Sequence, residues 1–267
     1  MKVAICLMFK NEHKHLPDFI NYHRSLGVDD FIIYDNNSTP PVQSSDPGII
    51  IQSWPDDGPA KQQRAYAHCL ANIGRNYDWV GFIDTDEFVV LKKHNSIKDL
   101  LSNYNNHGAL GISWLCFGSS KLDTFSSHSE FYMHSEPSDE INRHIKSFVR
   151  TAAVKTCAVY PEIVVNNQYV LKNMPVINGN HVLGDPHYFG VDTVDPQFNK
   201  VNGPFNDHNR DTCYIKHCLV RTKSEVEEKK VRGRGDGAGK NPLYYDWDNL
   251  EKTFNASTEE KVVWSHR

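Results

Sequence analysis

Residues 79–90 read WVGFIDTDEFVV, an apolar run that carries three carboxylates in four positions, Asp84, Asp86 and Glu87. Three anions within a few ångströms repel one another, so the arrangement needs a cation or hydrogen-bond donors to compensate it. Read alone, it is also compatible with a strand that ends in water. The flanking sequence decides between the two. The whole run is expected to form one buried strand, whose period of two turns Asp84 and Asp86 to the same side.

Upstream, VAICLMF (3–9) is a short continuous apolar run of the kind found in parallel strands buried on both faces. KNEHKHLPDFINYHRSLG follows, with Leu16, Phe19, Ile20 and His23 at helical spacing and Gly27 as the stop. The pattern then repeats: DFIIYDNNSTPP and GIIIQSW read as strands, and GPAKQQRAYAHCLANIG as a helix with Pro59 near its start. Beyond residue 90, SIKDLLSNY is a short helix capped by Ser96, and GALGISWLCFG is a further strand. Strands alternating with helices over about the first 120 residues predict an α/β domain built on a mostly parallel sheet flanked by helices. Ligands of such sheets bind beyond the carboxyl ends of the strands. KNE after the first strand, DNNS after the second and DTDE after the fourth should therefore share one edge.

From residue 120 to 210 the periodicity weakens, with polar loops such as HSEPSDE and NGPFNDHNRDTC between the β-like runs SFVRTAAV and EIVVNN. CYIKHCLV then reads as a strand and TKSEVEEKKVRGRGDG as a helix leading into a glycine-rich basic loop. This second half is expected to attach to the sheet as a C-terminal elaboration, giving one domain over 1–267.

With 39% apolar residues the chain can bury a sizeable core, and a net charge of −4 with a pI near 6.4 argues against nucleic acid or an anionic membrane as its main partner. Six scattered cysteines, several in apolar runs, read as reduced thiols. MKVAICLMFKNEHK is neither a signal peptide nor a membrane span. A soluble, cytoplasmic protein is expected, with peripheral membrane contact left open.

The sequence has no G-x-G-x-x-G and no G-x-x-x-x-G-K-[ST], so a bound phosphate would need its charge neutralised by other means. A divalent Mn²⁺ or Mg²⁺ does this with one or two protein carboxylates, water and substrate phosphates. Asp86 is the better direct ligand, with Asp84 placed for a ribose hydroxyl or a metal-bound water.

The order KNE, LGVDDFIIYDNNS, QQRAYAHCL, WVGFIDTDEFVV, WLCFGSS and KHCLVRTKSEVEEKKVRG resembles glycosyltransferase family 92 and its bacterial relatives. The likeness covers about residues 1–120 and 213–234, and between them only HIKSFVR matches, loosely. It implies the GT-A fold, with a nucleotide-sugar-binding half over 1–120 and an acceptor-binding half over 121–267. It also implies inverting transfer of a sugar, galactose favoured, from a UDP-sugar to a glycan or lipid-linked glycan acceptor. By the same resemblance Asp35 would hold the nucleoside, Asp84 and Asp86 the ribose and the metal, and His217 would be a further metal ligand. Cys218 stands where the family has tyrosine.

Cations near the C-terminus, Lys223, Lys229, Lys230, Arg232 and Arg234, are either a solvated helix face or donors to a leaving diphosphate, and the glycines of RGRGDGAGK favour the second. Arg64 is a candidate contact to base or phosphate, or a surface residue. The general base of an inverting transfer should be an Asp or Glu of the middle segment. Asp123 and Glu130 come first by order along the chain, with Glu136, Asp139, Glu140 and Glu162 also open. A sugar-1-phosphate nucleotidyltransferase lacks its glycine-rich N-terminal signature here, and a carbohydrate-binding module leaves DTDE unexplained.

Overall fold

The computed structural model describes residues 1–58, 61–124, 127–156, 170–171, 176–178, 193–194, 200–201, 210–232 and 246–258. Its first half runs β1 Val3–Phe9, α1 Leu16–Ser25, β2 Asp30–Asp35, β3 Ile49–Ser53, α2 Lys61–Ala71, β4 Trp79–Phe82, β5 Glu87–Leu91, α3 Ile97–Ser102 and β6 Ala109–Cys116. The second half adds β7 Met133–His134, β8 Ile145–Arg150, β9 Val154–Thr156, β10 Val170–Leu171, β11 Val176–Asn178, β12 Thr193–Val194 and β13 Lys200–Val201. β14 Cys213–His217, α4 Lys223–Arg232, α5 Trp247–Phe254 and β15 Ser257–Thr258 follow.

One sheet organises the molecule, in the order β3-β2-β1-β4-β8-β6-β14-β5 with β11 beside β6. β1 to β4 are parallel to one another, as are β6, β14 and β11, while β8 and β5 run against their neighbours. The mostly parallel α/β architecture expected from the alternation is met. β1 shows why its sequence is continuously apolar: Val3, Ile5, Leu7 and Phe9 enter one core and Ala4 and Cys6 the other. α1 covers the first core with Phe19, Ile20 and His23, and α2 covers the second with Ala65, Tyr66, Cys69 and Leu70. Gly27 closes α1 with φ +93°, a conformation that costs glycine little. The Ser96 side chain caps α3 by accepting from the Asp99 amide at 3.0 Å. The five described cysteines are buried free thiols, and Cys157 lies outside the described residues.

The expectation of a single strand over 79–90 is not met. β4 ends at Phe82, and the chain turns through Asp84–Asp86 into β5, which lies at the far edge of the sheet, antiparallel to β14. β4 is a central strand between β1 and β8, where a carboxylate-rich extension would have to be buried. The turn avoids this and closes on itself, with the Glu87 amide donating to the Asp84 carbonyl at 3.0 Å and the Asp84 amide donating to Glu87 Oε2 at 2.8 Å. Strand periodicity therefore does not orient Asp84 and Asp86.

EIVVNN and Glu162 fall outside the described residues, as do Arg234 and the glycine-rich segment 233–240. Among the described residues no helix is long and apolar enough to cross a membrane.

Candidate active site

The turn after β4 and the last residue of β14 meet at the carboxyl edge of the sheet, because Glu87, which opens β5, stands in register with His217, which closes β14. The Cys218 amide donates to the Asp86 carbonyl at 2.8 Å and ties the two ends together. Around this junction the three carboxylates are separated and each is handled differently.

Asp84 is 35% exposed and accepts from Lys146 Nζ at 2.6 Å and from Gln62 Nε2 at 2.9 Å. Lys146 comes from β8, and its ammonium also lies 3.2 Å from Glu87 Oε2. Burial pushes the Glu87 carboxyl up to about 8; Lys146 opposes this and Asp84 and Asp86 reinforce it. Its Oε2 is the acceptor for the Asp84 amide, and its Oε1 has no hydrogen-bond partner among the described residues and lies 3.8 Å from His217 Nδ1. Asp86 is 13% exposed, with Oδ2 at 2.7 Å from Lys229 Nζ and 3.7 Å from Arg221 Nη2. Burial opposes its charge, but Lys229, His217 and Arg221 outweigh burial and hold the carboxyl well below the usual range. The crowding of like charges is thus met by a raised Glu87 carboxyl and by cations drawn from β8, α4 and the segment before α4.

His217 Nε2 faces Asp86 Oδ1 at 3.7 Å, and its ring meets Trp114 edge-on with centroids 4.3 Å apart. Burial lowers its pKa to about 4 against the pull of Asp86, so the imidazole is neutral at pH 7 and able to offer a lone pair. Among the described residues no group of three or more His, Cys, Asp or Glu side chains is arranged to hold a metal ion by itself. One carboxylate and one neutral imidazole nonetheless form a compatible donor pair for a hard divalent ion. The two stand 3.7 Å apart, and a hard divalent ion held there would complete its coordination with water and phosphate oxygens.

A second ring of groups joins the loop after β1 to α4. Arg221, 2% exposed, donates to Glu12 Oε2 at 3.0 Å and lies 3.6 Å from Glu225 Oε1, while His15 Nε2 is 2.8 Å from the same Glu225 oxygen. Beside it, the loops after β1 and β2 are sewn together, with the Asn11 amide on Ser38 Oγ at 3.1 Å and the Thr39 amide on Asn11 Oδ1 at 2.8 Å. KNE, DNNS and DTDE do share one edge.

The other expected site residues are distributed as follows. Asp35 spends both carboxylate oxygens on backbone amides, Ser38 at 3.0 Å and Val42 at 2.9 Å, which shapes the loop after β2. Arg64 is held bidentately by Asp56, at 2.7 and 2.6 Å. On α4, Lys229 turns in to Asp86, whereas Lys223 is exposed and Lys230 pairs with Glu227 at 2.5 Å; the Arg232 and Glu140 side chains lie outside what is described. Glu130 sits on a turn whose Phe131 carbonyl accepts from Lys216, and Lys216 and His217 are consecutive in β14, so that turn is on the side away from His217. Asp123 is exposed in the turn after β6, and Glu136 accepts from Ser257 at 2.7 Å. Asp139 lies in the segment that continues the edge of β8 alongside β6, anchored where the Cys116 amide donates to Asn142 Oδ1 at 2.8 Å, and its side chain does not cap the turn it opens. Sequence reasoning missed Lys146, Arg221, Gln62 and Trp114. Only Lys146 had a visible signal, a lone lysine inside the apolar strand IKSFVR.

Comparison with known proteins adds the following. The family model described as "Glycosyltransferase family 92" matches residues 1–208. A glycosyltransferase family 92 protein of Oryza sativa subsp. japonica is 32% identical over 116 residues, 41% of this chain and 20% of that protein. One from Ricinus communis is 33% identical over 132 residues, 45% of this chain and 24% of that protein. The matches thus span only about a quarter or less of these relatives' length. The crystal structure of S. aureus TarS 1-349 covers 63% of this chain and 51% of that chain at 12% identity and a TM-score of 0.34. At that level the architecture rests on the strand order itself. His217, Arg221 and Lys229 lie beyond the residues that the family model matches.

Proposed function

This chain belongs to glycosyltransferase family 92, and from that premise we propose that it is a GT-A-type inverting glycosyltransferase that moves a hexose, galactose favoured, from a UDP-sugar to a glycan acceptor. The observation that carries the reading is the junction of Asp84, Asp86 and His217 at the carboxyl edge, ringed by Lys146, Arg221 and Lys229. An edge of this kind suits a ligand that is anionic at one end and hydroxyl-rich at the other.

In the reaction the acceptor oxygen bonds to the anomeric carbon as the bond from that carbon to the diphosphate oxygen breaks. The electron pair leaves with the nucleoside diphosphate, and the acceptor proton passes to a carboxylate. Lys229 faces the leaving group and donates charge-assisted hydrogen bonds to it. Asp84, the more exposed of the two aspartates, meets ribose or sugar hydroxyls while Lys146 fixes its orientation. Asp139 is the acid best situated to take the proton, since it lies along the edge shared by β8 and β6 and its side chain does not cap its turn. Asp86 and His217 would hold a Mn²⁺ or Mg²⁺ ion, which when bound neutralises charge on the leaving diphosphate.

Incubation with a panel of nucleotide sugars, with and without Mn²⁺, tests the proposal. Release of UDP from one UDP-hexose, abolished by chelation and restored by metal, is the expected result. Nucleotide sugars left intact under every condition, or cleaved between the phosphates, would contradict it.

A further inference from the structure

Lys229 lies at the boundary between two environments. Its Nζ is 2.7 Å from Asp86 Oδ2 and 3.3 Å from the Leu219 carbonyl, inside the charge cluster. The same side chain lines a cavity of about 710 Å³ between the loop after β1 and the wall formed by Arg221 and α4, whose lining glutamates, Glu12, Glu225, Glu227 and Glu228, each lie within 3.9 Å of a cation. That volume is ordinary for a site that holds a nucleotide-sized molecule. The neighbouring cation, Arg221, is not comparable: it is 2% exposed and is pinned from two sides by Glu12 and Glu225. Lys229 hangs on a flexible four-carbon stem from α4, which carries its ammonium to Asp86 at 2.7 Å.

We propose that Lys229 is an exchange cation: in the free protein it neutralises Asp86, and on binding it moves onto the diphosphate of a nucleoside diphosphate in this cavity, freeing Asp86 for a divalent ion. The inference rests on the glycosyltransferase reading and specifies how its site is loaded. An ammonium 2.7 Å from a largely buried carboxylate opposes a second cation at that carboxylate, because charges in a site of low effective dielectric interact strongly. Metal alone must displace the lysine with nowhere favourable for it to go. Nucleotide supplies that place, since it brings anionic oxygens to the cavity. The two ligands then bind cooperatively, each raising the affinity of the other by the same factor.

Calorimetric titration of the full chain with Mn²⁺ alone, UDP alone and each in the presence of the other reads this directly. In the wild type, each ligand is expected to tighten the other by roughly tenfold or more. In Lys229→Gln, Mn²⁺ alone binds roughly tenfold tighter than in the wild type, UDP alone binds weaker, and the mutual enhancement shrinks toward one. Lys229→Arg retains the wild-type pattern, which guards against a loss of fold in the neutral variant. A Mn²⁺ affinity in Lys229→Gln equal to or below that of the wild type, with UDP and Mn²⁺ still binding together in both, overturns the exchange and leaves the glycosyltransferase reading standing. A wild type that binds UDP and Mn²⁺ in no combination overturns both.

Discussion

At the scale of single residues, Asp86 shows how far a carboxylate's surroundings can invert a charge argument. Three acids in four positions suggest that neutralising one would relieve repulsion and stabilise the protein. The structure reverses that expectation, since Asp86 is the counter-ion of Lys229 and lies 3.7 Å from Arg221. Removing the charge takes from the largely buried Lys229 its carboxylate at 2.7 Å, while Arg221 keeps Glu12 and Glu225, and breaking such a buried pair from one side costs about 3 kcal/mol or more. Asp86→Asn should therefore unfold at clearly lower urea concentration than the wild type, and calorimetry should find its Mn²⁺-supported UDP binding gone. A variant as stable as the wild type would mean that the cations around Asp86 are solvated rather than paired. Which cation pairs with which carboxylate could not be read from the sequence. Lys146 is 62 positions from Asp84 and Lys229 is 143 from Asp86, and neither separation leaves a local pattern.

At the scale of elements, the alternation of strands and helices was legible because each buried strand is a continuous apolar run bounded by turn formers. The break between β4 and β5 was not, because Ile83 and Phe88 keep the run apolar across the turn and nothing local distinguishes a bend from a straight strand. Two element contacts carry measurable consequences. α5 clamps the turn after β6: Ser119 Oγ donates to Glu251, and the Ser120 amide donates to Asn255 Oδ1 at 2.9 Å. Gly118 lies so close to α5 that a methyl group there would come within 2.5 Å of the Phe254 carbonyl oxygen. Gly118→Ala should cost about 1–3 kcal/mol, measured by denaturant titration, because a backbone oxygen cannot yield as a side chain can. An unchanged midpoint would show that α5 docks loosely.

The second contact joins α1 to β5 through His23, whose Nδ1–H donates to the Phe19 carbonyl at 3.0 Å while Nε2 accepts from the Val89 amide at 3.3 Å. Burial lowers its pKa to about 3, only partly offset by the Phe19 carbonyl, and a proton on Nε2 would face another N–H. The folded state therefore holds this histidine neutral while the unfolded chain protonates near 6.5. Stability is fully present above about 6.5 and is lost as pH falls from there toward 3, by at most about 1.4 kcal/mol per pH unit for this group. Denaturation measured at pH 7, 6 and 5 should show that slope in the wild type and a shallower one in His23→Gln. Equal slopes would remove His23 from the account.

At the scale of the whole molecule, the sheet brings four distant segments to one edge: the loop after β1, the loop after β2, the turn after β4, and the end of β14 with α4. The first three were legible because parallel strands present their carboxyl ends together. In the fourth, His217 was suggested by family resemblance and the α4 cations by the glycines that follow them, while the ring that joins it to the others, Arg221 with Glu12, is a contact across 209 positions that no spacing rule encodes. The central claim is that this edge is a single nucleotide-binding site. Hydrogen–deuterium exchange of the intact chain with and without UDP plus Mn²⁺ tests it most directly. The account predicts that peptides covering residues 10–15, 35–39, 84–88 and 217–231 become protected together, while α3, residues 97–102, exchanges unchanged. Protection confined to other segments, or no difference at saturating UDP and Mn²⁺, would contradict it.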